Sequence, residues 1–284
     1  MSKKWATFII SHGRPDNVVT LDTLLSAGYT GDWYIVLDNL DTTAEKYINK
    51  FGSDKIVIFN KHYYADKTDY GLSVPKLNSA VFARNAVEDI AKELQLDGYI
   101  CLDDDIRKFI YRYEDNNKLR GHQIKSDITE IFNKIMNFII NTDISCASCG
   151  YQQIYMSGLS GLMKENSRTR LLAEAFFRNL KFDVNWIGNT SEDYLTSIEC
   201  GRRGQIFIQL PFLQVDMPTA CTGKQDGGNS DIYRNMSKWR QLFFSTMYFP
   251  DMFRLNIRQD KLYNTVIPER SVPKIIYSEV KLYE

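Results

Sequence analysis

The amino-acid sequence predicts an α/β domain built on a mostly parallel sheet, and three observations carry that prediction. Short apolar runs ending in polar residues alternate with stretches of helical periodicity through the first hundred residues, the pattern of right-handed β-α-β crossovers. The runs are apolar on both parities, as strands covered on both faces require. The run Gly98–Leu102 then closes in three consecutive carboxylates, Asp103, Asp104 and Asp105. Ligands of open α/β sheets bind outside the carboxyl ends of the strands, so this triplet stands where chemistry is expected.

In order, Thr7–Ile10 is a first strand, followed by the polar turn Ser11-His-Gly-Arg-Pro-Asp-Asn17. Asp16 or Asn17 is placed to cap a helix that begins near Val18 and stops at Gly28. Trp33–Leu37 is a second strand ending in Asp38-Asn39, a helix spans about Thr43 to Phe51, and Lys55–Phe59 is a third strand. A loop rich in Tyr, Lys and Asp leads to a helix over Asn78–Leu96 and then to the strand that carries the aspartates. This is a Rossmann-like nucleotide-binding half. Farther on, Lys125–Ile140 places Ile128, Ile131, Phe132, Ile135 and Ile139 on one helical face, a core signature. Ile144–Cys149 and Gln152–Met156 read as strands, a candidate hairpin, and Leu171–Leu180 is mixed. Asn189-Thr-Ser-Glu-Asp-Tyr194 opens a helix capped by Thr190 or Ser191 and ending near Gly201. Gln205–Asp216 is a long strand broken at Pro211, and a Gly-rich, lid-like loop covers Thr222–Ser230.

The chain has 284 residues, 44% hydrophobic and 25% charged, which is ordinary for a globule with a sizeable core. Net charge is zero, so contact with nucleic acid needs a local patch rather than a global field. From 220 to 284 there are 10 Lys/Arg against 7 Asp/Glu, a mild basic bias on an aromatic background. The Met-Ser-Lys-Lys-Trp start lacks a signal peptide's apolar segment, and no run is long enough to span a membrane. Five scattered cysteines fit a reduced, cytoplasmic setting. Cys146 and Cys149 form a C-x-x-C, but no second pair completes a zinc ribbon, and small buried thiols are the reading adopted.

Adjacent aspartates repel, and a fold accepts that cost most readily with a cation between them. In an extended segment, side chains at i and i+2 point the same way. Asp103 and Asp105 are therefore candidate ligands for one hard divalent ion, Mg²⁺ or Mn²⁺, with Asp104 turned away or toward a ribose. A strand ending in a solvated acidic turn is the competing explanation. The chain has no G-x-x-x-x-G-K-[ST] and no G-x-G-x-x-G after the first strand, which argues against P-loop NTPases and dinucleotide-dependent dehydrogenases.

The series formed by these features resembles glycosyltransferases of the GT-A fold: an acid after the second strand (Asp38), an Asp-x-Asp after the fourth, and a later Glu192-Asp193 opening a helix. More narrowly, it is similar to the TET-associated glycosyltransferases, found mainly in phages and implicated in adding sugar to hydroxymethylated DNA pyrimidines. The matching pieces are Ile10-Ser-His-Gly-Arg-Pro15 with Thr20 and Gly28-Tyr29, Ala83-Arg84-Asn85, Leu102-Asp-Asp-Asp-Ile-Arg-Lys-Phe109, Ser191-Glu-Asp-Tyr194, and Gly227-Gly-Asn-Ser-Asp-Ile-Tyr233. One departure is that many GT-A enzymes complete the metal site with a C-terminal histidine, whereas His12, His62 and His122 all lie in the first half.

The resemblance implies a GT-A-like single domain with helices flanking the central sheet and a C-terminal, acceptor-side α+β extension. Residues 1–110 form the nucleotide-sugar-binding half and 111–284 the acceptor-binding half of one continuous domain. It implies a metal-dependent transfer from a UDP-sugar to a hydroxymethylated pyrimidine, 5-hydroxymethylcytosine first, in double-stranded or locally opened phage DNA, in the host cell cytoplasm. Ser11, Gly13, Arg14, Asp38, Lys76, Arg84, Asn85, Asp103 and Asp104 are its donor-binding candidates. Asp193 is the candidate base and Glu192 the second. Gly227, Gly228, Tyr233 and Arg202 are acceptor-side candidates, Arg202 within a wider group of basic and aromatic residues that includes Arg203, Lys224, Arg234, Lys238, Trp239, Arg240 and Tyr248. Acids in a first helical turn also satisfy the helix dipole without any function. A protein or polysaccharide acceptor, or a non-catalytic nucleic-acid-binding module, are the alternatives.

Overall fold

The computed structural model describes residues 3–70, 77, 79–156, 158–159, 175–217, 244–258 and 261–267. Its centre is a nine-stranded sheet in the order β3-β2-β1-β4-β8-β7-β9-β5-β6. The first half follows the apolar runs: β1 (Trp5–Ile10), β2 (Trp33–Asp38), β3 (Ile56–Phe59) and β4 (Gly98–Asp103) are mutually parallel. Side-chain parity divides each of them between two cores. Ile9, Ile35, Leu37, Ile100 and Leu102 face one cluster with α1 (Val19–Ser26) and α5 (Ile128–Ile140). Phe8, Ile10, Val36, Tyr99 and Cys101 face the other, beneath α4 (Val81–Glu93). Burial on both faces is why these strands read as continuous apolar runs.

The second half departs from a parallel sheet. β8 (Phe176–Asn179) inserts antiparallel between β4 and β7 (Ile144–Gly150), and β9 (Ile206–Asp216) pairs parallel with β7. β5 (Lys108–Asp115) and β6 (Lys118–Gln123) form an antiparallel hairpin on the outer edge. The sheet is therefore mixed, and the expectation of a mostly parallel one is corrected. The hairpin escaped the sequence reading because its residues are largely polar and exposed, so no apolar alternation announces it.

Several elements differ locally. The loop after β3 contains α3 (Lys61–Lys67), capped by the Asn60 side chain accepting from the Tyr63 amide. The helix expected over Asn78–Leu96 is the shorter Val81–Glu93. Gln152–Tyr155 is a single 3₁₀ turn rather than a strand. At Pro211, the β7–β9 register jumps from Cys149↔Leu210 to Gly150↔Gln214; proline has no N–H for the ladder, and the strand bulges there. α6 (Glu192–Arg202; α2 is Ala44–Phe51) starts where expected. Ser191 precedes it with φ +55°, however, and makes no side-chain capping bond, so the expected Ser191 cap is absent. A third apolar cluster joins Ile187, Leu195 and Ile198 to Phe244, Phe249, Met252 and Phe253, beside the small hairpin β10 (Phe253–Arg258) and β11 (Lys261–Val266).

Cys146 and Cys149 are fully buried and in no disulfide, and burial pushes the Cys146 thiol far above its ordinary value. Among the described residues, no helix is long and apolar enough to cross a membrane.

Candidate active site

The carboxyl ends of β1 and β4 lie side by side, with Ile10 opposite Asp103 in register. The chain turns immediately after Asp103, so the triplet does not continue as an extended strand, and the simple i, i+2 geometry assumed from the sequence is corrected. The turn is held from below by α1. The Thr20 hydroxyl donates to the Asp103 carbonyl (2.5 Å) and accepts from the Ile106 amide (2.8 Å), while the Thr20 amide donates to the Asp104 carbonyl (3.0 Å). Thr23 adds a bond to the Ile106 carbonyl at 2.9 Å. One buried hydroxyl thus fixes a turn that three like charges would otherwise spread.

The three acids have separate environments. Asp104 is only 2% exposed, and its carboxylate takes a bond from Ser11 Oγ (2.5 Å) and an ion pair from Arg14 Nη2 (3.1 Å). Burial raises its pKa, with Arg14 and Ser11 opposing. It locks the β1 loop to the acidic turn, so of the two orientations expected it is the one turned away. Tyr47 completes the lock, since its hydroxyl shares a hydrogen bond with Ser11 Oγ and accepts from the Arg14 amide, each at 2.8 Å. Asp103 is partly exposed and its Oδ1 meets Arg84 Nη2 at 3.2 Å. Among the described residues, the buried Oδ1 of Asp105 has no hydrogen-bond partner. Desolvation, then Asp103 and Asp104, push its pKa up to about 7.

A buried Asp105 oxygen of this kind, whose charge is felt by Asp103, offers with it the hard oxygens that Mg²⁺ or Mn²⁺ would take. Among the described residues, no group of three His, Cys, Asp or Glu side chains converges to hold a metal. The remaining ligands of such an ion would be phosphate oxygens and water, as is usual for Mg²⁺.

Arg84 connects this turn to α6. It is 4% exposed, and its Nε meets Glu192 Oε1 at 3.1 Å while Nη2 holds Asp103. Its guanidinium lies over the rings of Phe176 (4.6 Å) and Trp186 (5.6 Å), and Nη1 has no partner among the described residues. Burial works against its charge, but Asp103 and Glu192 outweigh that and keep it protonated. Glu192 is buried as the partner of Arg84, so its carboxylate is engaged with that arginine. Asp193, half-buried in the first turn of α6, receives the Tyr194 amide on Oδ1 at 2.8 Å.

Asn85 stands behind the site. Its Nδ2 donates to Thr68 and to the Trp186 carbonyl, and its Oδ1 accepts the Trp186 amide. With both amide hydrogens spent in the interior, it pins the segment on which Arg84 rests.

Asp38 is also committed. It is 4% exposed and accepts from His12 Nδ1 (2.7 Å), Lys61 Nζ (2.9 Å) and the Leu40 amide (3.1 Å). Burial pushes its pKa up, but the bonds from His12 and Lys61 outweigh this and hold it low. Gly13 adopts φ +71°, and its amide donates to Asp41 Oδ2 at 2.8 Å. His12, Lys61 and Asp41 were missed as members of this loop-fixing group. Lys61 in particular lies in a segment read as loop, where nothing local signals a buried ammonium. Arg202 lies in the last turn of α6, over the Phe249 ring at 5.5 Å and 3.8 Å from Glu199. Lys76, Gly227, Gly228 and Tyr233 lie outside the described residues, as do Arg234, Lys238, Trp239 and Arg240.

A strand-end acidic turn and a second acidic helix start are thus joined by one buried arginine. The model of the TET-Associated Glycosyltransferase family matches residues 5–227. The chain belongs to that family and is a glycosyltransferase. Solved structures with a similar course include glucosyl-3-phosphoglycerate synthase from Mycobacterium tuberculosis. Its complex with Mn²⁺ and UDP-glucose is 10% identical, with 94% of this chain and 87% of that chain covered at a TM-score of 0.49. Its complex with Mg²⁺ and UDP is 7% identical, with 94% and 88% covered at a TM-score of 0.48. Comparison with curated protein sequences found no match.

Proposed function

We propose that this glycosyltransferase moves a sugar from a UDP-sugar to the hydroxyl of a hydroxymethylated pyrimidine in DNA, 5-hydroxymethylcytosine being the first base to test. The observation that carries the reading is the bridge made by Arg84, which bonds Asp103 at 3.2 Å and Glu192 at 3.1 Å. It brings the strand-end acids and the first turn of α6 within one guanidinium of each other, so donor and acceptor chemistry have a common floor. The DNA acceptor rests on the family resemblance.

Asp103 and Asp105 would hold a divalent ion, whose chemistry is to neutralise the charge that develops on a departing diphosphate. The chain's own residues do the rest. Arg84, with one unpartnered nitrogen, sets the carboxylate of Asp103 and adds fixed positive charge beneath the diphosphate. The Ser11–Asp104–Arg14 lock and the Asp38–His12–Lys61 group shape the loop over which the nucleotide lies. Asp193 receives the acceptor's hydroxyl proton as the new C–O bond forms and the bond to the diphosphate breaks with its electron pair leaving on phosphate. A base facing the leaving group implies inversion at the sugar carbon.

The test is calorimetric titration of a panel of UDP-sugars with and without Mn²⁺, followed by mass spectrometry of DNA containing hydroxymethylcytosine or hydroxymethyluracil. Metal-dependent binding of one donor and a hexose or pentose mass increment on one base is expected. Donor binding with no increment on any DNA would remove the DNA acceptor and leave a transferase for another alcohol.

A further inference from the structure

The edge hairpin β5–β6 carries a surface that neither the site nor the family match explains. Tyr111 and Tyr113 are 45% and 43% exposed and stack on one another with centroids 6.0 Å apart and planes 21° apart. Their cross-strand partners, whose side chains share the same face, are His122 and Arg120. Phe212, 38% exposed, extends the aromatic surface at 6.5 Å from Tyr111. Residues 107–125 hold six Lys/Arg against two Asp/Glu in a chain whose net charge is zero. Two of those cations are loosely paired, Lys108 with Asp216 at 3.8 Å and Arg120 with Asp115 at 3.6 Å, both on exposed side chains.

Charges on an edge strand guard against sheet-to-sheet pairing, but that purpose does not call for two exposed rings held parallel. Exposed stacked aromatics with flanking cations are the elements of a single-strand platform, on which bases stack and phosphates meet positive charge. The position suits an acceptor strand. β5 begins just after the acidic turn, and six residues of extended chain put Tyr111 about 20 Å or less from Asp105.

We propose that the β5–β6 hairpin is a nucleic-acid docking platform, with Tyr111 and Tyr113 stacking bases beside the target nucleotide and Arg120 and Lys118 contacting the phosphates. This rests on the DNA acceptor of the proposed function and adds where the strand lies. It adds a DNA contact on the β5–β6 edge to those expected in the C-terminal third.

The experiment is fluorescence anisotropy with a labelled oligonucleotide carrying one hydroxymethylcytosine, single-stranded and duplex, for the wild type, Tyr111→Ala/Tyr113→Ala and Lys118→Gln/Arg120→Gln. UDP binding and melting temperature are read in parallel. The tyrosine variant is expected to bind the single strand roughly tenfold or more weakly, since each stacked base contributes about that factor or more. The charge variant is expected to flatten the dependence of log Kd on log salt by roughly two phosphates' worth. UDP binding should be unchanged in both. Wild-type DNA affinity in both variants overturns the platform while leaving the DNA acceptor standing. A wild-type protein that binds neither oligonucleotide at low salt overturns both, so the two failures are told apart. Because the side chains are exposed, loss of fold in the alanine variant is not expected, and the glutamine variant gives an independent reading if it occurs.

Discussion

Asp105 should behave as a proton reservoir that a metal ion empties. Its pKa rises from 3.8 to about 7, so holding the carboxylate ionised without a cation costs about 4 kcal/mol at most. The sign follows directly. With the folded value above the unfolded one, stability is greatest below about pH 4 and is lost as pH rises toward about 7. An ion bound by Asp103 and Asp105 must displace that proton. Mn²⁺ binding at pH 6 should therefore release about 0.9 proton per ion, and at pH 8 about 0.1, with apparent affinity about tenfold weaker at pH 6 than its limit. The assay is calorimetric titration of Mn²⁺ with a UDP-sugar, whose diphosphate has no proton to lose near pH 6, in buffers of different ionisation enthalpy, which counts protons. Asp105→Asn should abolish the pH-dependent release, weaken metal binding, and stabilise the metal-free protein at pH 8. Proton release that persists in Asp105→Asn, or that does not vary with pH in the wild type, would refute the assignment of the cation position.

Four further predictions follow from single contacts. Asp193→Asn should bind the UDP-sugar normally and lose transfer by at least a hundredfold, the usual scale of a general base; near-normal turnover would remove Asp193 from that role. Arg84→Met leaves Glu192 buried and unpaired and should destabilise the protein by roughly 3 kcal/mol in urea unfolding, whereas Arg84→Met with Glu192→Gln should recover part of that loss. Thr20→Val keeps the shape but removes a hydroxyl that both donates and accepts in the acidic turn. A loss of about 1–3 kcal/mol with weakened metal binding is expected, and an unchanged metal affinity would mean the turn holds itself. Asp38→Asn removes a carboxylate held low by His12 and Lys61. The stability Asp38 supplies is present above the ordinary carboxylate range and lost as pH falls below it, so the variant should be weaker than wild type near pH 7 and converge with it in acid unfolding.

The parallel half of the sheet and the strand-end position of the aspartates were legible in the chain because local pattern determines them. Runs such as Trp33–Leu37 and Gly98–Leu102 are apolar on both parities, and only a strand covered twice needs that. The start of α6 at Glu192 was legible for a similar reason, although its cap was not, since Ser191 makes no capping bond. The ordered series of short motifs, none of them specific alone, pointed to the family.

What the chain could not disclose is which polar groups face one another, because those pairings join residues distant in sequence. Arg84 meets Glu192 across 108 positions, Ser11 meets Asp104 across 93, and Arg178 lies fully buried against Glu88 across 90. A buried charge is tolerated only with its partner in place, and no local pattern names that partner. For the same reason the buried partners of Asp104, Asn85 and Glu192 were not legible in the chain. By itself, the sequence determined the parallel strands of the first half, their burial on both faces and the presence of three acids at one strand end. Only the tertiary structure decided that those acids have different tasks, because each one's charge depends on the neighbours folding brings to it.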